Sequence, residues 1–148
     1  MIKKLLFNIV KIESYNSLWL LLLFLPVLGT AQALSGTYTI GASQPAPFNT
    51  ITKAIERINT SGVTGPVTFL LDDATYDASE TFPIVITAFT GASAVNTLTI
   101  KPNAGKTVLV QGNNNPIYNP LASVFDLNGA DYVIFDGNNG SVNKALTI

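Results

Sequence analysis

From Val67 onward the chain is written in apolar pieces too short to build anything larger than small strands. They are Val67-Thr-Phe-Leu-Leu71, Ile84-Val-Ile86, Leu98-Thr-Ile100, Val108-Leu-Val110, Val124-Phe-Asp-Leu127, Tyr132-Val-Ile-Phe135 and Leu146-Thr-Ile148. β-Branched and aromatic residues fill them, as a pleated and half-buried surface favours. Several end in Gly, Asn or Asp, at Gln111-Gly112-Asn113, Asn128-Gly129 and Asp136-Gly137-Asn138. These residues tolerate left-handed backbone angles and turn the chain. Sandwich and barrel walls use strands of about 5–6 residues. Shorter pieces suit a solenoid, in which the chain passes through strand and corner repeatedly and each coil stacks on the last.

Period two then divides each strand into an inner and an outer set. Val67, Phe69, Leu71, Leu98, Ile100, Val108, Val110, Phe125, Leu127, Val133 and Phe135 are assigned to the interior, with Thr68, Thr99 and Asp126 outside. A buried Phe125 would make Phe125→Ala cost about 3–5 kcal/mol.

One segment reads differently. Phe48, Ile51, Ala54, Ile55 and Ile58 form one apolar stripe at helical spacing, with Lys53, Glu56 and Arg57 off it. Asn49 or Thr50 can cap its first turn. Asn59-Thr-Ser-Gly62 ends it, and Gly65-Pro66 prevents its return. Before it, Ser35–Gly41 alternates as a short strand, and Ala42–Pro47 is a loop. A solenoid has two open ends whose strand edges need covering, and an amphipathic helix just ahead of the first coil is placed to cover one.

The first residues are a targeting segment. Lys3, Lys4 and Lys11 precede the apolar run Leu18–Leu28, and the small residues Ala31 and Ala33 follow. That order is a secretory signal peptide with cleavage expected after Ala33. At about 1.5 Å per residue the apolar run reaches roughly half of a ~30 Å hydrocarbon core, too short to span it. The expected domains are therefore 1–33 as signal peptide, 34–66 as an N-terminal cap of strand and helix, and 67–148 as the first coils. Ending on the apolar piece Leu146-Thr-Ile148, the coils are expected to be the start of a longer protein.

Composition narrows the chemistry. The chain has no histidine and no cysteine. Ser-His-Asp and Cys-His catalysis are thereby excluded within it, as is the commonest zinc ligand. Beyond the leader, the cations Lys53, Arg57, Lys101, Lys106 and Lys144 are scattered, whereas a phosphate backbone calls for clustered ones. Nucleic acid is not an expected partner, and membrane contact is expected only through the leader during export.

Each candidate constellation has a plainer account. Ala104-Gly105-Lys106-Thr107 ends like a phosphate-binding loop, but Ile100 stands where that loop needs its first glycine, and a strand follows instead of a helix. Asp72, Asp73 and Asp77 are the densest acids and read as turn residues. Asp126, Asp131 and Asp136 recur at different corners, whereas calcium needs about 6–8 converging oxygens. Tyr76, Tyr118 and Tyr132 could stack on sugars if exposed in a row, but read rather as partly buried ladder residues. Asn113-Asn-Asn115 and Asn138-Asn139 read as corners. Asn59-Thr-Ser and Asn139-Gly-Ser match the glycosylation acceptor pattern. No catalytic, cofactor-binding or metal-ligating residue is assigned.

Gly36-Thr-Tyr-Thr-Ile-Gly41, the helix Phe48–Ile55 and Gly62-Val-Thr-Gly-Pro-Val-Thr-Phe69 together resemble a recurring opening of large secreted proteins of Bacteroidetes-type bacteria. Val124–Gly137 resembles their coil pattern. The resemblance implies an all-β fold, a right-handed parallel β-helix of the pectate-lyase type with one N-terminal capping α-helix. It also implies export by the type IX secretion route, for which many such proteins carry a C-terminal sorting domain. Its motifs are structural, so they speak to fold before activity. The expected function is a secreted or cell-surface structural module, adhesin-like, without catalysis in this segment. Its expected partners are extracellular polysaccharide or cell-surface components. The alternatives are the front of a polysaccharide lyase or hydrolase, and a carbohydrate-binding module without turnover.

Overall fold

A computed structural model describes residues 32–112 and 123–148. Strands are its main regular structure, joined by one helix. The elements are β1 (Leu34–Ile40), α1 (Ile51–Ser61), β2 (Val63–Leu71), β3 (Thr75–Tyr76), β4 (Ile84–Thr87), β5 (Leu98–Pro102), β6 (Val108–Val110), β7 (Phe125–Asn128), β8 (Val133–Phe135) and β9 (Leu146–Thr147).

The strands form three small sheets in the orders β1-β2-β5-β8, β3-β6-β9 and β4-β7. Every strand pairing within them is parallel. The chain visits the sheets in rotation: β2, β3 and β4 go one to each, β5, β6 and β7 repeat the order, and β8 and β9 begin it again. Register is kept from visit to visit. Tyr38, Phe69, Ile100 and Phe135 lie opposite one another across the largest sheet, and so do Thr37, Thr68, Thr99 and Ile134 on its other face.

The inner face of each strand enters one shared core. Val67, Phe69, Leu71, Ile86, Leu98 and Ile100 are fully buried, joined by Val108 and Val110 at 1% exposure. Fully burying a side chain of this size contributes roughly 1.5–3 kcal/mol relative to leaving it in water. Phe125 of β7 and Phe135 of β8 come from different sheets, yet their rings lie 4.8 Å apart. Inward-pointing residues of separate sheets therefore meet.

The helix follows the apolar stripe. Ile51, Ala54, Ile55 and Ile58 are buried in the same core. Thr50 is the N-cap, its hydroxyl accepting from the Lys53 N–H at 3.2 Å. Gly62 stops the helix at φ 68°, donating its N–H to the Ile58 carbonyl at 2.8 Å. A side chain there would strike the Thr90 carbonyl, so glycine is required both by backbone angle and by close approach.

Asn59 ties the helix to a sheet edge. Its amide nitrogen donates to the Val85 carbonyl at 2.9 Å, and its amide oxygen accepts from the Thr87 N–H at 3.1 Å. One side chain thus satisfies the outer edge of β4, on the side away from β7. An edge left open would be a template for another strand.

Three details differ from the sequence-based expectation. β2 begins at Val63 and runs through Gly65-Pro66, where the register with β1 shifts between Leu34 and Gly36. A bulge is where a strand can hold a proline, which has no N–H for the ladder. β3 is a strand that was not anticipated, since Thr75–Tyr76 is too short to show a period. Leu127 and Phe135 are 50% and 36% exposed, and Phe125 and Val133 are only partly buried. They point the same way as their buried partners: Ile86 for Leu127, Ile100 for Phe135, Ile84 for Phe125 and Leu98 for Val133. However, β7 and β8 are the outermost strands of their sheets among the described residues, so they are covered from one side only. Parity fixes the direction of a side chain but not whether anything lies beyond it. The expected cost of Phe125→Ala falls accordingly, to about 1–2 kcal/mol for a half-buried ring.

Candidate functional surfaces

The corners that follow the strands of the largest sheet carry three of the six candidate acids, Asp72, Asp73 and Asp136. Their main chain is stacked: Asp72 N–H donates to the Ile40 carbonyl, Asn103 N–H to Leu71 and Asp136 N–H to Ile100, at 2.9, 2.8 and 3.0 Å. The side chains stack as well. Asn103 donates its amide to Asp72 Oδ1 at 2.8 Å, and Lys106 Nζ lies 3.6 Å from the same oxygen. Asp73 Oδ2 accepts from the Ala42 N–H at 2.7 Å. Lys101 Nζ donates to Asp136 Oδ2 at 2.7 Å. That ammonium, with the Asn138 N–H, holds the Asp136 carboxyl below the usual carboxylate range.

These bonds make Asp72, Asp73 and Asp136 turn residues that lock one corner to the next. Asp77 likewise accepts from the following Ala78 N–H. Asp126 lies on β7 opposite Val85, Asp131 precedes β8, and Asp136 follows it. The recurring acids are therefore spread over different sheets and corners, and no group of three metal-ligating side chains converges among the described residues. Adding a chelator is expected to leave the melting temperature unchanged, as calorimetry with and without EDTA would check.

Tyr76 is a structural residue, only 2% exposed. Its hydroxyl donates to the Ile40 carbonyl at 2.7 Å and accepts from the N–H groups of Asp72 and Asp73 at 3.1 and 3.2 Å. Burial pushes its pKa up from 10.0 to about 12. The neutral phenol is thus favoured in the folded protein. Its contribution to stability is full below pH ~10 and is lost as pH rises toward ~12, on the order of 2–3 kcal/mol. Melts between pH 9 and 12 check this, since Tyr76→Phe should remove that part of the alkaline loss. Of the other tyrosines, Tyr132 is 48% exposed just before β8, with φ 59°. Tyr118 lies outside the described residues. A row of exposed tyrosines is therefore not formed by Tyr76 and Tyr132.

Ala104–Thr107 is the turn between β5 and β6, with Lys106 N–H closing onto the Asn103 carbonyl at 3.0 Å. It is not followed by a helix. Asn138 and Asn139 are corner residues as expected. Asn139 is buried, donating to the Lys106 carbonyl and accepting from the N–H groups of Ser141 and Val142. With Asn59 also committed to β4, both glycosylation-pattern amides are already in use. Asn113–Asn115 and the cleavage residue Ala31 lie outside the described residues. Ala33 lies just before β1.

Sequence reasoning missed Glu80. This acid is 8% exposed and caps the N-terminus of α1 from a distant loop. Its Oε1 accepts from the Ile51 N–H at 2.8 Å; its Oε2 accepts from the Thr52 N–H at 2.7 Å and the Thr52 hydroxyl at 2.6 Å. Helix N-termini present unpaired N–H groups and partial positive charge, so a carboxylate is favoured there.

The class defined by these features is a mostly-β protein of three small all-parallel sheets with one helix packed into their core. Among protein-family models, curated proteins and solved structures, none matches the chain.

Proposed function

We propose that this chain is the front part of an exported right-handed parallel β-helix, serving as an adhesin-like structural module without catalysis in this segment. One observation carries the reading: the strands are dealt to three parallel sheets in strict rotation, with register kept at each return. A β-helix produces that order by winding. Parallel strand-to-strand crossovers are right-handed in about 98% of cases, which favours the same hand here. α1 supplies the cap, and the apolar residues exposed on β7 and β8 form a surface suited to a further coil.

Polar groups support the structural role. Of the acids that might have served a reaction, Asp72, Asp73, Asp77 and Asp136 are hydrogen-bonded into corners. The secretory leader supports a secreted or cell-surface location. Its removal after Ala33 would place the new N-terminus at Leu34, the first residue of β1. The resemblance to large secreted Bacteroidetes-type β-helix proteins accords with this, and with type IX export. Extracellular polysaccharide or cell-surface components are the partners such a module would meet.

The test is to incubate the exported protein, its N-terminus read by sequencing, with a panel of extracellular polysaccharides. Retention on one of them without new reducing ends or unsaturated products is the expected result. Product release would replace this reading with the lyase or hydrolase alternative.

A further inference from the structure

We propose that the cleft between the start of β1, the loop before α1 and α1 itself binds a small ring compound carrying a carboxylate. Arg57 would hold the carboxylate, and the Tyr38–Phe48 pair would lie against the ring. With Gln32 and Ala33 in place, the cleft has a volume of about 500 Å³, and its other walls include Tyr38, Pro47, Phe48 and Arg57. Small-molecule sites run from about 300 to 1,000 Å³ and combine apolar walls with a few fixed polar groups.

Arg57 is the only arginine in the sequence. Its Nη2 donates to the main-chain carbonyl of Gln32 at 2.8 Å. Among the described residues no carboxylate pairs with it, whereas Lys101 and Lys106 each face an aspartate. A guanidinium offers five donors in a planar fork that fits a carboxylate two bonds at a time. It is half-buried at the wall of a cleft, where its charge is less screened than on an open surface.

The aromatic wall is fixed in place. Tyr38 and Phe48 stack with centroids 4.6 Å apart and planes 23° apart, and Phe69 supports both edge-on from the core. The Tyr38 hydroxyl is tied to the Ser35 carbonyl at 3.0 Å. Flat rings held this way suit stacking on an aromatic or sugar ring. The part of the chain that occupies Arg57 is also the part that leader cleavage would remove. Loss of Gln32 and Ala33 would open one side of the cleft and free Nη2.

The exported protein would be titrated by calorimetry with glucuronate and benzoate, and with glucose and benzyl alcohol as their uncharged counterparts. At least one acid is expected to bind with a millimolar or tighter Kd, about tenfold or more better than its counterpart. Which acid binds distinguishes a sugar ring from an aromatic one. Arg57→Gln is expected to lose about tenfold in affinity without a change in melting temperature. If that variant fails to fold, the comparison of acid with uncharged compound on the unaltered protein decides alone. Binding by neither acid, or binding indifferent to charge, overturns the proposal. So does unchanged affinity in a folded Arg57→Gln protein. The titration decides the matter whether or not sequencing finds Gln32 retained, and it is independent of the adhesin-like reading.

Discussion

Phe69→Ala is expected to destabilise the protein by about 3–5 kcal/mol. The ring is fully buried and lies in the middle of the largest sheet, between Tyr38 on β1 and Ile100 on β5. It also supports the Tyr38 and Phe48 rings edge-on, at centroid distances of 6.2 and 6.4 Å. Removing it therefore takes away transfer free energy and leaves a hole whose lining comes from several elements and cannot collapse easily. Thermal unfolding should shift down by on the order of 15 °C. Phe69→Leu fills much of the space and should lose less than half as much. A loss under about 1 kcal/mol for the alanine variant would mean that this face of β2 is not inside.

Glu80→Ala should cost about 2–4 kcal/mol, large for a residue that sequence alone reads as surface charge. Its carboxylate is the partner of two main-chain N–H groups and one hydroxyl at the start of α1. Without it, donors in a mostly enclosed site lose their acceptor, and the helix end loses a favourable charge. Thr52 passes the network on by accepting from the Thr81 N–H at 3.0 Å, so the loop should loosen along with the helix. Glu80→Gln separates shape from charge. It can keep one acceptor, but it turns an NH₂ group toward donors, so it should recover only part of the loss. Urea titrations of the three proteins, with a helix-sensitive signal, would order them wild type, Gln, Ala. A Glu80→Ala protein as stable as wild type would remove the carboxylate as the capping group.

Much of this architecture is legible in local sequence. Alternation in Val67–Leu71, Leu98–Ile100 and Val108–Val110 states both the strand and its buried face, and the burial of those residues agrees. The stripe from Ile51 to Ile58 gives the helix, with Thr50 and Gly62 at its ends. Other features depend on residues far apart in the chain. Glu80 and Asn59 look like ordinary loop and helix-end residues, because their partners are brought to them only by the fold. Tyr76 reads in the sequence as a partly buried ladder residue, but the place of its hydroxyl under the corner made by Ile40 and Asp72 is set only by the fold. Leu127 and Phe135 share the pattern of the buried strands, and differ only in what lies over them. The Arg57 cleft has no sequence signature, since its walls come from β1, the following loop and α1.

The central claim is that the chain winds through the three sheets, and cross-linking tests it most directly. With no native cysteine, any intramolecular disulfide must come from introduced pairs. Thr68 lies opposite Thr99 in one sheet, and Val85 lies opposite Asp126 in another. Adjacent strands are about 4.7–4.9 Å apart, within the Cα separation a disulfide can bridge. Each double variant, Thr68→Cys with Thr99→Cys and Val85→Cys with Asp126→Cys, would be oxidised and its bridges mapped by mass spectrometry. Winding predicts that both pairs close in the folded monomer, with Thr68→Cys and Asp126→Cys as an unbridged control. Failure of either stacked pair in a folded protein, or closure of the control, would contradict it.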